Sequence, residues 1–134
     1  MSSVFADTAF YVALLRPTDD LHRAAVEFDR TFRGSYVTTE YVLIELGNWL
    51  AEAGNRRAFM RLLETLQSEP RVEIVPSDPA WLAKGIDLYT SRPDKGWSLT
   101  DCISFAVMAE RRIESALTAD HHFEQAGFAA LLKE

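Results

Sequence analysis

The sequence predicts an α/β fold built on a mostly parallel sheet. Short apolar runs alternate with longer amphipathic stretches along the whole chain, the pattern of repeated strand–helix units. Apolar residues make up 48% and charged residues 25% of the 134 residues, the balance of a folded globular chain. No repeat, low-complexity stretch or linker interrupts the alternation, so one domain spanning 1–134 is the simplest organisation.

Each element has its own local reason. Val4-Phe5-Ala6 reads as a first strand, followed by a short helix through Phe10, Leu14 and Leu15. Thr18 with Asp19 and Asp20 supplies a capping hydroxyl and first-turn acids for a second helix, which carries Leu21, Ala25, Phe28 and Phe32 and ends at Gly34. Tyr36-Val37-Thr38 is a second strand. A helix from Glu40 to Ala53 is closed by Gly54, and Asn55 caps a further helix through Phe59, Leu62, Leu63 and Leu66. Val72-Glu73-Ile74-Val75 is the third strand.

Asp78-Pro79 then places a cap before a proline at the first helical position, starting a helix through Trp81, Leu82 and Leu88. Arg92 to Gly96 forms a loop. Ser98 or Thr100 caps a helix running to about Ile113. Ala116-Leu117-Thr118 is a fourth strand, and Phe128 to Leu132 a short fifth.

Four carboxylates sit at the margins of these core-forming segments. Asp7 follows the first strand and Asp120 the fourth, at the edge where open α/β sheets bind ligands. Asp101 lies in the first turn of its helix, where free amides and the dipole favour an anion. Glu45 is mid-helix, with Tyr41, Val42 and Trp49 at helical spacing, so its carboxylate falls on or beside an apolar face. An ionised carboxylate near apolar surface is costly unless paired, hydrogen-bonded or bound to a metal. Taken singly, each has a bland explanation: Asp7 and Asp120 as helix caps, Asp101 as a first-turn charge, Glu45 as the partner of an arginine. Taken together they suggest one acidic site, whose mutual repulsion a divalent cation with oxygen ligands would relieve.

Charge and composition limit the rest. The net charge is −6; setting the four acids aside leaves 16 Asp and Glu against 14 Lys and Arg, a balance of −2. A phosphate-bearing substrate is compatible with that, whereas strong nonspecific duplex binding needs a net basic face. Cys102 is the only cysteine, so no intramolecular disulfide forms, and a reducing compartment follows. The start has neither the basic region nor the apolar stretch of a secretory signal, and no run approaches a membrane span, which together favour the cytoplasm.

Four blocks carry a resemblance. Phe5-Ala6-Asp7-Thr8-Ala9-Phe10, Thr38 to Glu45, Trp97 to Ser104 and Leu117-Thr118-Ala119-Asp120-His121-His122-Phe123 resemble the four acidic motifs of PIN-domain nucleases, particularly the small VapC-type toxins. The Ser-Leu-Thr-Asp and Thr-Ala-Asp-His-His-Phe blocks are the most specific. The resemblance implies a three-layer α/β/α fold with about five strands in the order 3-2-1-4-5. It also implies an endoribonuclease dependent on Mg²⁺ or Mn²⁺, cleaving single-stranded or looped RNA by metal-activated water. By motif, Asp7, Glu45, Asp101 and Asp120 carry over as the metal-binding and catalytic acids, with Thr118 as a supporting hydroxyl. A homodimer and a cognate antitoxin, as in type II toxin–antitoxin pairs, belong to the same implication.

The remaining candidates read more plainly. Arg16, Arg92, Lys95, Arg111 and Arg112 are suited to phosphates, although solvated helix faces explain most such charges. Trp97 and Tyr41 are suited to base stacking, with core packing the commoner role. His121 and His122 read as an exposed turn, since no further Cys or His lies at zinc-ligand spacing, and His22 as a surface histidine. Cys102 reads as a small buried thiol. A receiver domain would need a lysine after a late strand, and a haloacid-dehalogenase-type phosphatase a second Asp at Ala9; neither is present. The alternative of another class is a noncatalytic PIN-like module that binds RNA or protein, which loss of an acid would signal.

Overall fold

The computed structural model describes residues 2–133; Met1 and Glu134, the ends of the expected 1–134 span, lie outside the described residues. Five strands form the sheet: β1 (Ser3–Ala6), β2 (Ser35–Thr39), β3 (Val72–Val75), β4 (Ser115–Leu117) and β5 (Ala129–Ala130). All pairings are parallel, and the order is β3-β2-β1-β4-β5, as the resemblance implied. The helices α1 (Thr8–Leu15), α2 (His22–Thr31), α3 (Glu40–Trp49), α4 (Ala53–Ser68), α5 (Pro79–Ser91), α6 (Leu99–Arg111) and α7 (His121–Gln125) make the crossovers and complete a three-layer arrangement. None of them is long and apolar enough to cross a membrane.

Parallel strands require helical crossovers and are covered on both faces, which is why Val4, Phe5 and Ala6 are all buried. The chain builds outward from β1 to β3, then returns to add β4 and β5 on the opposite side of β1. The order therefore reverses between β1 and β4, and a crevice opens beyond their carboxyl ends. Pairing of Phe5 with Ala116 and Ala6 with Leu117 sets Asp7 level with Thr118 at that opening.

The core fixes the elements around the crevice. Phe105 of α6 meets Trp97 and Phe123 edge-on, with ring centroids 5.1 and 4.9 Å away, anchoring α6 against α7. Helix α5 lies against α6 at Gly85, where a Cβ would fall 2.3 Å from Ile103 Cγ1; only a hydrogen fits there.

Several boundaries depart from the sequence expectation. The helix expected over Glu40–Ala53 stops at Trp49; Leu50 is buried and its amide closes on Leu46 O. Gly54 and Asn55 then lie in the first turn of α4, where they neither close one helix nor cap the next. Arg56 Nε donates to Ala51 O at 2.6 Å, satisfying a carbonyl freed at this break. Helix α2 begins at His22 instead of Thr18, because the Asp19 carboxylate accepts the Leu21 amide at 2.8 Å and holds a turn. Strand β5 is shorter than the expected Phe128–Leu132, since only Ala129 and Ala130 pair with β4. His22 is partly buried, with Nδ1 2.7 Å from Ala13 O, and ties α2 to α1.

Candidate active site

A cleft of about 450 Å³ occupies the crevice, and Asp7, Glu45, Asp101 and Asp120 all line it. Each comes from a different element. Asp7 stands at the N-cap position of α1, yet its side chain makes no capping hydrogen bond, so the cap explanation fails for it. It is only 7% exposed. Burial pushes its carboxyl up to about 7, the Asp101 charge adds to the rise and Glu45 adds less, while the Thr8 amide and Thr118 hydroxyl oppose it.

Glu45 lies at the edge of the α3 stripe, with Val42 and Leu46 buried and Ile44 and Trp49 exposed. Its partner is a hydroxyl, not an arginine: Thr8 Oγ1 donates to Glu45 Oε1 at 2.5 Å. Asp101 closes a capping box on α6. Its amide donates to Ser98 Oγ at 3.0 Å, and its Oδ2 accepts the Ser98 amide at 3.2 Å. Burial raises its pKa, and the nearby Asp120 adds to the rise. Asp120 Oδ1 accepts the His122 amide at 2.9 Å and caps α7, while its own amide donates to Thr118 Oγ1 at 3.1 Å. Asp101 and Asp120 thus serve as caps and still present oxygens to the cleft.

His122, expected in an exposed turn, also lines the cleft, as do Asp19 and Trp49. Its Nδ1 lies 3.3 Å from Asp120 Oδ1 and 3.5 Å from Asp101 Oδ2, in hydrogen-bond geometry with neither, and the atom is buried without a partner. The expected exposed turn holds for His121 alone. The available signal was Asp120 itself, since an N-cap carboxylate draws the amide two residues on back toward it. Asp120, His121 and His122 each offer a ligand atom within 4.8 Å of one another. Asp7, Glu45 and Asp101 line the same cleft as that group without belonging to it. Carboxylate oxygens, with an Asp7 whose charge is disfavoured, are a donor chemistry that suits a hard divalent cation such as Mg²⁺ or Mn²⁺.

The other candidates separate clearly. Trp97 is 6% exposed and donates Nε1 to Gln125 Oε1 at 3.0 Å, a core residue. Tyr41 donates its hydroxyl to Asp78 O at 3.2 Å. Arg111 pairs with Glu73, and Arg112 forms the left-handed C-cap of α6. Arg92 and Lys95 both engage Asp94, at 3.0 and 3.8 Å. Arg16 lies over the Trp49 ring beside the cleft. Cys102 is fully buried, with its thiol pushed up by burial and by Asp101.

This sheet order, with an acidic cleft at the reversal, defines a PIN fold. The chain belongs to the PIN domain family, whose model matches residues 4–129. Among curated proteins it is 30% identical over 135 residues to the 23S rRNA-specific endonuclease VapC20 of Mycobacterium tuberculosis, covering 98% of this chain and 99% of that one. The crystal structure of VapC20, described as a Sarcin-Ricin loop cleaving toxin, superimposes with a TM-score of 0.85 over 94% of this chain and 96% of that one, with 24% identity between the superimposed chains. FitAcB from Neisseria gonorrhoeae matches with a TM-score of 0.65 at 21% identity, covering 95% of each chain. VapBC2 from Rickettsia felis, bound to a DNA fragment from their promoter, matches at 0.66 and 15% identity, covering 96% of each chain. At those identities the structural matches speak for the fold.

Proposed function

We propose that this chain is a Mg²⁺- or Mn²⁺-dependent endoribonuclease, acting as one nuclease domain over 1–134, with Asp7, Glu45, Asp101 and Asp120 as its metal-binding and catalytic acids. The observation that carries the reading is the convergence of Asp7, Glu45, Asp101 and Asp120, each from a separate element, on one cleft at the sheet reversal; the fifth carboxylate of the lining, Asp19, accepts the Leu21 amide. Asp7, Asp101, Asp120 and Glu45, the last oriented by Thr8, would hold the cation. When bound, the cation supplies activation of water and stabilisation of charge on the phosphoryl oxygen. The Ser98 amide holds the Asp101 carboxylate and the His122 amide that of Asp120, while the Thr118 hydroxyl accepts from the Asp120 backbone amide and fixes the chain at the cleft edge.

The likeness to VapC20 supports a looped RNA as substrate, the sarcin-ricin loop of 23S rRNA being the first to test. The description of VapC20 as a toxin supports a toxin role; a cognate antitoxin, a homodimeric state and a cytoplasmic location are part of the same proposal. Incubation of purified 23S rRNA and of an unstructured RNA with Mn²⁺, with and without EDTA, tests the reading. Cleavage that EDTA abolishes is expected; intact RNA under all conditions would leave the noncatalytic binding module. Growth arrest on expression, relieved by a small protein encoded immediately upstream, is the expected sign of the toxin role.

A further inference from the structure

We propose that Trp49 and Arg16 form a stacking platform for one unpaired nucleobase at the mouth of the acidic cleft, an assignment that rests on the ribonuclease reading of that cleft. Trp49 ends α3 one turn beyond Glu45 and lines the same cleft as the four acids. It is 56% exposed, unlike Trp97, which is enclosed in the core. A singly exposed apolar side chain is ordinary; what marks Trp49 is its place in the lining of the acidic cleft with a cation against its ring. The Arg16 guanidinium carbon lies 5.7 Å from its ring centroid. That cation makes no salt bridge within 4.0 Å among the described residues, whereas Arg92 is occupied by Asp94.

The pairing suits single-stranded nucleic acid on two counts. An aromatic face accepts any base by stacking, and a neighbouring guanidinium adds a cation–π contribution and a contact for phosphate. The surrounding acids repel a phosphate backbone in the absence of a cation, so a positive group near the rim supplies the attraction the cleft itself lacks. Trp49 therefore selects unstacked nucleotides over duplex without reading base identity. This gives looped RNA a physical reason to be preferred.

Abasic nucleotides placed in turn along a short single-stranded RNA, titrated against the Asp101→Asn protein in Mg²⁺, test the assignment. One abasic position is expected to weaken binding about tenfold or more. Trp49→Ala in the same background weakens the intact RNA by a similar factor, and that abasic position then has no further effect. Trp49→Phe restores most of the affinity and the sensitivity. Equal binding of every abasic RNA, or loss on Trp49→Ala that is independent of the abasic position, would overturn the platform and leave Trp49 as a contact for a protein partner. RNA that neither binds the Asp101→Asn protein nor is cut by the wild type would overturn the ribonuclease reading and the platform together; RNA that is cut normally while Trp49 is indifferent would overturn the platform alone.

Discussion

The Thr8 hydroxyl donates a 2.5 Å hydrogen bond to Glu45 Oε1, joining the first residue of α1 to the middle of α3 across 37 positions of sequence. It fixes which way the carboxylate points, and it ties Glu45 to the residue that follows Asp7. Thr8→Ala is expected to weaken cation affinity by about 10- to 100-fold, the usual scale for a group that orients a ligand. The cost in stability should be near 1–3 kcal/mol, since a part-buried acceptor is left without its donor. Isothermal titration with Mn²⁺ and chemical denaturation check the two parts separately.

Ser98 holds Asp101 through the reciprocal capping box on α6. Ser98→Ala removes the hydroxyl cap and should cost about 0.5–2 kcal/mol. Because Asp101 then loses half of its box, activity is expected to fall as well. Ser98→Thr should preserve both. Thermal melts and initial cleavage rates on the three proteins decide the matter.

Gly85 sets the distance between α5 and α6. Ile103 is buried in the packed interface and has little room to swing aside, so Gly85→Ala must separate the helices or distort their packing. A loss of about 1–3 kcal/mol is expected, despite the higher helix propensity of alanine. Denaturant unfolding measures it; a stability gain would contradict the close approach.

Asp7 makes stability depend on pH in a direction opposite to that of a paired acid. Its folded pKa, raised to about 7 from 3.8, means that the native state holds a proton which the unfolded state has released between those values. Metal-free stability therefore falls as pH rises from about 4 to about 7, by an upper bound of about 4 kcal/mol for this group, then levels off. Asp7→Asn should flatten that part of the curve. Mg²⁺ or Mn²⁺ should stabilise the wild type more at pH 7 than at pH 5, because the cation needs the ionised form. Unfolding titrations across this range, with and without cation, provide the check.

Much of the architecture was legible because local chemistry and tertiary structure agree. Asp78-Pro79 starts α5 and Ser98 caps α6 where their residue types require, and alternation located every strand. The four acids were visible as anomalies of burial. Their partners were not, since Thr8 meets Glu45 only after α1 and α3 pack together. His122 was hidden because its place depends on how Asp120 turns the chain into α7. Trp49, one of the apolar-face neighbours used to place Glu45, stands half in solvent: helical spacing reports the angle around a helix, not how far the covering elements extend. The break after Trp49 was missed for a related reason, as Arg56 satisfies it from the following helix.

Single-turnover cleavage of one RNA by the wild type and by Asp7→Asn, Glu45→Gln, Asp101→Asn and Asp120→Asn, at fixed Mn²⁺ and with circular dichroism on each protein, tests the shared acidic site most directly. All four variants should fold like the wild type and lose cleavage by at least about 100-fold, the scale for removing a group that stabilises a transition state. Rates near wild type in any correctly folded variant would remove that acid from the site, and rates near wild type in all four would contradict the account.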